Sequence, residues 1–180
     1  MNIFIIILLL LVIIGLILLW GANSYNKFQE FIIRANAAEA NIDSTLRKRY
    51  DLLNKSISII KENTKETEVL DSISNLRSKK LSNFEFDRKL YDCINEFNTF
   101  KERHSNLREN EEFMKIDLAI RESEVEMSAL RKYYNDVVTD YNKYSRSFPS
   151  ILVALIFNYK KRTYYDGKNM DDEIINDFRL

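Results

Sequence analysis

The sequence predicts an all-α protein, with an N-terminal transmembrane helix followed by an antiparallel up-and-down four-helix bundle. Three observations predict it. The 180 residues include three Gly and one Pro, well below the average Gly usage of about 7%, which leaves too little turn chemistry for a sandwich, a barrel or a Rossmann-type sheet. The N-terminus is an unbroken apolar run. Beyond it, apolar residues recur at alternating spacings of three and four, as on one face of a helix. The expected organisation is an anchor over residues 1–24, a helical bundle over 25–166 and a polar, flexible tail over 167–180.

Residues 3–20 carry no charge and no strongly polar side chain, and the first charged residue is Lys27. The run is long enough for a membrane span. At roughly −0.3 to −0.6 kcal/mol per aliphatic residue, its insertion is favourable by several kcal/mol. A cleaved signal peptide expects a basic start, a shorter apolar stretch and a small-residue cleavage site. No Lys or Arg precedes this run, and "WGANS" fits such a site poorly, so the segment is read as a retained anchor. Trp20 and Tyr25 stand where interfacial aromatics belong. Lys27 and Arg34 follow the span and nothing basic precedes it, which places the C-terminal domain in the cytoplasm. Cys93 is the lone cysteine, so no internal disulfide is possible, as suits a reducing compartment.

The first bundle helix carries the stripe Phe28, Ile32, Ala35, Glu39, Ile42, Leu46, Arg49, Leu53, Ser56, Ile60. "KENTKETE" breaks it, and a short helix over about 66–80 places Val69, Leu70, Ile73 and Leu76 on one side. "LSNFEF" offers Asn83 as an N-cap. The third stripe is Phe86, Leu90, Cys93, Phe97, Phe100, His104, Leu107, and the chain turns at "NLREN". The last helix, about 111–147, carries Phe113, Ile116, Ile120, Ser123, Met127, Leu130, Tyr134, Val137, Tyr141, Tyr144 and Phe148.

"YNDVVTDYNKYSRSFPS" repeats Tyr-Asn at an interval of seven, the period of helices wound against each other at about 20°. Tyr134 and Tyr141 are therefore read as seam residues. Pro149 stops the helix and favours extended geometry just before it.

"TLRKRYDLL", "NLRENEEF", "RKYYNDVVTDYNKYSRSFPS" and "IFNYKKRTYY" follow one another in the order of the blocks of LemA proteins, and the chain over about 24–166 resembles that family. The resemblance implies an N-terminally anchored four-helix bundle of bacteria with no established catalytic activity. The chain departs from the family pattern at Glu39 (usually Trp), Asn54 (Pro), Ile151 (Asn), and Lys161 and Thr163 (both Pro). Loss of the proline at Asn54 implies a straighter first helix.

Candidate chemistry is sparse. His104 lacks a Glu three residues earlier, because position 101 is Lys, so the Glu-x-x-His di-iron motif is absent and a structural role is expected. Cys93, on an apolar stripe, is expected to be an inert thiol. Asp43, Arg47 and Asp51 form a ladder on a solvated face, each pair contributing roughly 0.2–0.5 kcal/mol. Acidic neighbours cancel the Arg47-Lys48-Arg49 triplet. With 27 basic and 27 acidic residues, the chain lacks the clustered basic surface that nucleic-acid binding requires. Glu39 and Arg49 interrupt the first stripe and need partners, since unpaired burial costs several kcal/mol. Tyr134, Tyr141, Asn135 and Asn142 could supply them. Glu39, Arg49, Tyr134 and Asn142 are thus the candidate polar seam, either a layer that fixes helix register or a ligand site. Phosphate-loop, catalytic-triad and metal-ligand spacings are all missing from the sequence.

After Pro149 comes "SILVALIFN", then Lys160, Lys161 and Arg162, then Tyr164 and Tyr165. With Trp20, these cations and tyrosines are candidate membrane-interface residues. The other reading has 151–157 capping the bundle base with the cations in water. Two functions are compatible with all this. One is a non-catalytic interaction or scaffold protein at the bacterial cytoplasmic membrane. The other is a receptor or enzyme using the seam. The first is preferred, with no cofactor expected. Its expected partners are the bilayer, through residues 3–22, and unidentified proteins.

Overall fold

The computed structural model describes residues 3–63, 76 and 81–166. Among them every regular element is helical: α1 (Ile3–Asn63), α2 (Asn83–Arg103), a 3-10 turn (Ser105–Glu109), α3 (Glu111–Arg146) and α4 (Ile151–Ile156). The short helix expected over 66–80 lies outside the described residues, apart from Leu76, which is helical and buried. The tail expected from 167 also lies outside them.

α1 is 61 residues long, about 90 Å at 1.5 Å per residue. No proline interrupts it, and it continues through Asn54. Its first part is apolar on every side and exposed on every side, from Ile3 to Leu19. This is the one described helix long and apolar enough to cross a membrane. From Ser24 onward one face is buried, so the span-like segment runs into packed helix without a linker.

The chain divides into two compact units, residues 38–133 and residues 1–37 with 134–180. In the first, Ile42, Leu46, Leu53, Ile60, Leu90, Phe97, Leu107, Phe113 and Met127 are fully buried. Each such side chain stabilises by about 1.5–3 kcal/mol. The N-cap of α2 is Ser82, one residue before the expected Asn83. Its hydroxyl accepts from the Glu85 amide at 3.3 Å, and the Glu85 carboxylate accepts from the Ser82 amide at 3.0 Å. This capping box holds the Glu85 carboxyl below its usual range. The Asn110 side chain accepts from the Phe113 amide at 3.0 Å and opens α3. α2 and α3 run antiparallel, with Phe97 stacked on Phe113 at 5.2 Å and Lys101 paired with Asp117 at one end, and Asp87 paired with Arg131 at the other.

In the second unit, Phe28 of α1 meets Tyr141 and Tyr144 of α3 and Tyr159 of the segment 158–166 that follows α4, called the tail from here on, with centroids 5.9, 4.9 and 4.5 Å away. α3 ends at Arg146, just short of Pro149. The Ser150 hydroxyl then donates to the carbonyls of Tyr144 and Ser147, and α4 begins. Its exit is a Schellman turn: the Tyr159 amide donates to the Ala154 carbonyl at 2.9 Å and the Asn158 amide to that of Leu155 at 3.4 Å. Asn158 sits at φ 54°, the left-handed position that Asn tolerates better than most residues. Phe148, expected on the seam, is instead exposed, because it falls beyond the last turn of α3.

Candidate functional site

The two Tyr-Asn pairs form a ladder that holds the chain's own tail. The Asn142 side-chain amide donates to the Arg162 carbonyl at 2.8 Å, and its oxygen accepts from the Arg162 amide at 3.0 Å. Two turns earlier, the Asn135 oxygen accepts from the Tyr165 amide at 2.9 Å. Between them Thr139 and Tyr164 share a hydroxyl contact of 3.1 Å. The Tyr141 hydroxyl donates to the Lys160 carbonyl at 2.8 Å, and the Tyr134 ring meets Tyr165 edge-on at 6.3 Å. Gln29 of α1 donates to the Tyr159 hydroxyl at 2.8 Å, and the Arg162 guanidinium donates to Asn36 at 3.0 Å. Burial pushes the hydroxyls of Tyr141 and Tyr159 above the usual tyrosine range.

The other unit contains a charge layer that runs from buried Arg49 and Asp87 to partly exposed Glu124 and Arg131. Arg49, fully buried, is bonded to Asp87 at 3.4 Å and to Glu124. Arg131 closes the set, reaching Asp87 at 3.3 Å and Glu124 at 2.9 Å. Two guanidiniums and two carboxylates balance in charge, which is what allows Arg49 and Asp87 to be buried. Among the described residues the buried Arg49 Nε has no hydrogen-bond partner. A second buried pair, Lys101 with Asp117 at 2.6 Å, is extended by Arg121 at 2.9 Å.

A family model described as the LemA family matches residues 38–176, which takes in the charge layer, both Tyr-Asn pairs and the tail they hold. The chain belongs to the LemA family. No curated protein matches it.

In this LemA chain the four residues of the expected polar seam are divided between the two compact units or exposed. Arg49 lies in one unit, and Tyr134 and Asn142 lie in the other. Glu39 is exposed and Ala38 takes the buried position, because a rotation of one residue puts the carboxylate in water. Arg49 pairs with Asp87 and Glu124, and the Tyr141, Asn142 and Asn135 side chains bond the tail. Of the proposed interface residues, Trp20 packs partly buried against the cluster of Phe28, Phe31, Tyr141, Val153 and Ala154. Lys160 and Lys161 are exposed. Arg162, Tyr164 and Tyr165 are drawn along α3 by the ladder.

His104 stacks on Phe100 at 4.2 Å, with Nδ1 3.0 Å from the Phe100 carbonyl, and ends α2. The Cys93 thiol is buried, and burial, followed by Glu96 and Asp92, pushes its pKa up to about 11. Among the described residues no group of three or more His, Cys, Asp or Glu could hold a metal ion. The sequence reading missed Asp87, Glu124 and Arg131, although a signal was present. Asp87, Leu90, Ile94, Phe97, Lys101 and Asp117, Ile120, Glu124, Met127, Arg131 share spacings of three and four. Each series begins with an acid and ends with a base, so antiparallel pairing matches opposite charges at both ends.

Proposed function

We propose that this LemA protein is a non-catalytic interaction protein of the bacterial cell membrane. α1 crosses the bilayer once, and the C-terminal domain lies on the cytoplasmic side as an antiparallel up-and-down four-helix bundle. The antiparallel pairing of α2 with α3 supports this arrangement. The observation that carries the functional reading is that the polar side chains placed inside the helical packing are engaged by the chain itself: Arg49 by Asp87 and Glu124, Lys101 by Asp117, and Asn142 by Arg162. A receptor or enzyme in the seam would need those same groups to face a ligand.

The outer surface is then where function resides. Leu118 and Val125, seven residues apart on α3, are 58% and 74% exposed and offer apolar contact to a partner. The test is photo-crosslinking of the full-length protein in its native membrane, with probes at Leu118 and Val125. Discrete protein adducts at these sites, lost on Val125→Glu or Leu118→Glu, are expected. A small-molecule ligand that protects Arg49 or Asn142, with no protein adduct, would overturn the reading.

A further inference from the structure

We propose that α4 and its flanks form an apolar foot that inserts into the same leaflet from which α1 emerges, giving the domain a second contact with the bilayer. The proposal rests on α1 being a membrane span. α4 has two faces. Val153 and Ala154 are buried against Phe28 and Phe31, and Trp20 packs on the same cluster, which fixes α4 beside the end of the apolar run. Ser24 is 2% exposed, so packing begins one turn past Trp20.

Ile151 is half-buried, and the other large apolar side chains of this segment are left outside. Phe148 is 83% exposed, Leu152 47%, Leu155 72%, Ile156 76% and Phe157 51%. Five such residues within ten positions are more than scattered surface apolar residues account for. Their depth follows from α1. The Phe157 ring lies 4.9 Å from that of Tyr25, and Tyr25 is five residues, about 7.5 Å, beyond Trp20. The polar layer of one leaflet is roughly 5–8 Å thick. With the run ending at the hydrocarbon boundary, Phe157 lies at headgroup depth. Interfacial helices bury an apolar face about 5–10 Å into this boundary.

The five exposed side chains that form the foot are all apolar. Arg162 is held by Asn36, with its guanidinium 6.0 Å from the Tyr141 ring centre. The foot is therefore expected to hold in neutral lipid and at high salt.

The test uses the full chain in phosphatidylcholine nanodiscs holding one copy each, with Cys93 replaced by Ser and a fluorophore on Ile156→Cys. The 76% exposure of Ile156 leaves the core intact on labelling. Lipid carrying a nitroxide high on the acyl chain is expected to quench most of the fluorescence at 156, as at Leu18→Cys, and little at Lys132→Cys. Leu155→Glu with Phe157→Glu should abolish the quenching at 156 and keep that at Leu10→Cys. Quenching at 10 without quenching at 156 would overturn the foot while leaving the anchor. Quenching at neither would overturn both. A single copy per disc removes a second chain as the cover.

Discussion

Asn142 pairs with the backbone of Arg162 through both ends of its side-chain amide, donating at 2.8 Å and accepting at 3.0 Å. Asn135 holds Tyr165 in the same manner, through one bond. Seven residues of helix rise about 10.5 Å, and three residues of extended chain reach about 10–11 Å. The interval of the Tyr-Asn repeat therefore equals the step from Arg162 to Tyr165. The repeat is a ruler for the tail as well as a seam.

Tyr141 combines the two roles, and its substitutions separate them. Tyr141→Phe keeps the edge contact with Phe28 but loses the bond to the Lys160 carbonyl, at a cost of about 0.5–1.5 kcal/mol. Tyr141→Ala also loses the packing, and about 3–5 kcal/mol is expected. Thermal melts of the full-length protein in detergent should rank parent, Phe and Ala in that order, with the larger gap before Ala.

The Lys101–Asp117 pair is expected to be non-additive. Lys101→Met leaves a carboxylate buried beside a single exposed partner, and such a loss costs about 3–5 kcal/mol. Lys101→Met with Asp117→Leu removes both charges and should recover most of that stability. Denaturant titrations of the two single variants and the double variant measure the coupling.

Cys93 should resist a thiol reagent at neutral pH in the folded protein and react on denaturation, since its pKa is pushed up to about 11. The folded thiol holds its proton above the unfolded value of about 8.5. Its contribution is therefore fully present below that pH and is lost as pH rises toward about 11. Between about pH 8 and 10 the parent should lose more stability than Cys93→Ala.

Topology is tested at Lys132, which is exposed. In a Cys93→Ser background, Lys132→Cys should stay unlabelled by an impermeant maleimide in intact cells and label after lysis. Labelling in intact cells would place the domain outside.

Much of the architecture was legible in the sequence because periodicity reports it directly. The buried positions of α2 and α3 lie on or beside the stripes at Leu90, Phe97, Phe113, Ile120 and Met127, and the expected bounds of α3 differ by one residue from those observed. Glu39 was misplaced because a strict three-four count ignores the one-residue rotation that releases a carboxylate to water. The site was less legible. A spacing of seven between tyrosines fits a helix seam and an extended strand laid along a helix equally well, and only the tail's return distinguishes them. That return is set by Asn158, whose left-handed turn lies in a stretch read only for its apolar and basic residues.

The central claim is that Asn135 and Asn142 of α3 are committed to the tail and are not open to a ligand. Residue-resolved hydrogen exchange of the full-length protein measures this most directly. The Arg162 and Tyr165 amides, though outside any helix, should be protected. Asn142→Ala should release Arg162, and Asn135→Ala should release Tyr165. Rapid exchange of both amides in the unsubstituted protein would contradict the account and leave Asn135 and Asn142 free to bind something else.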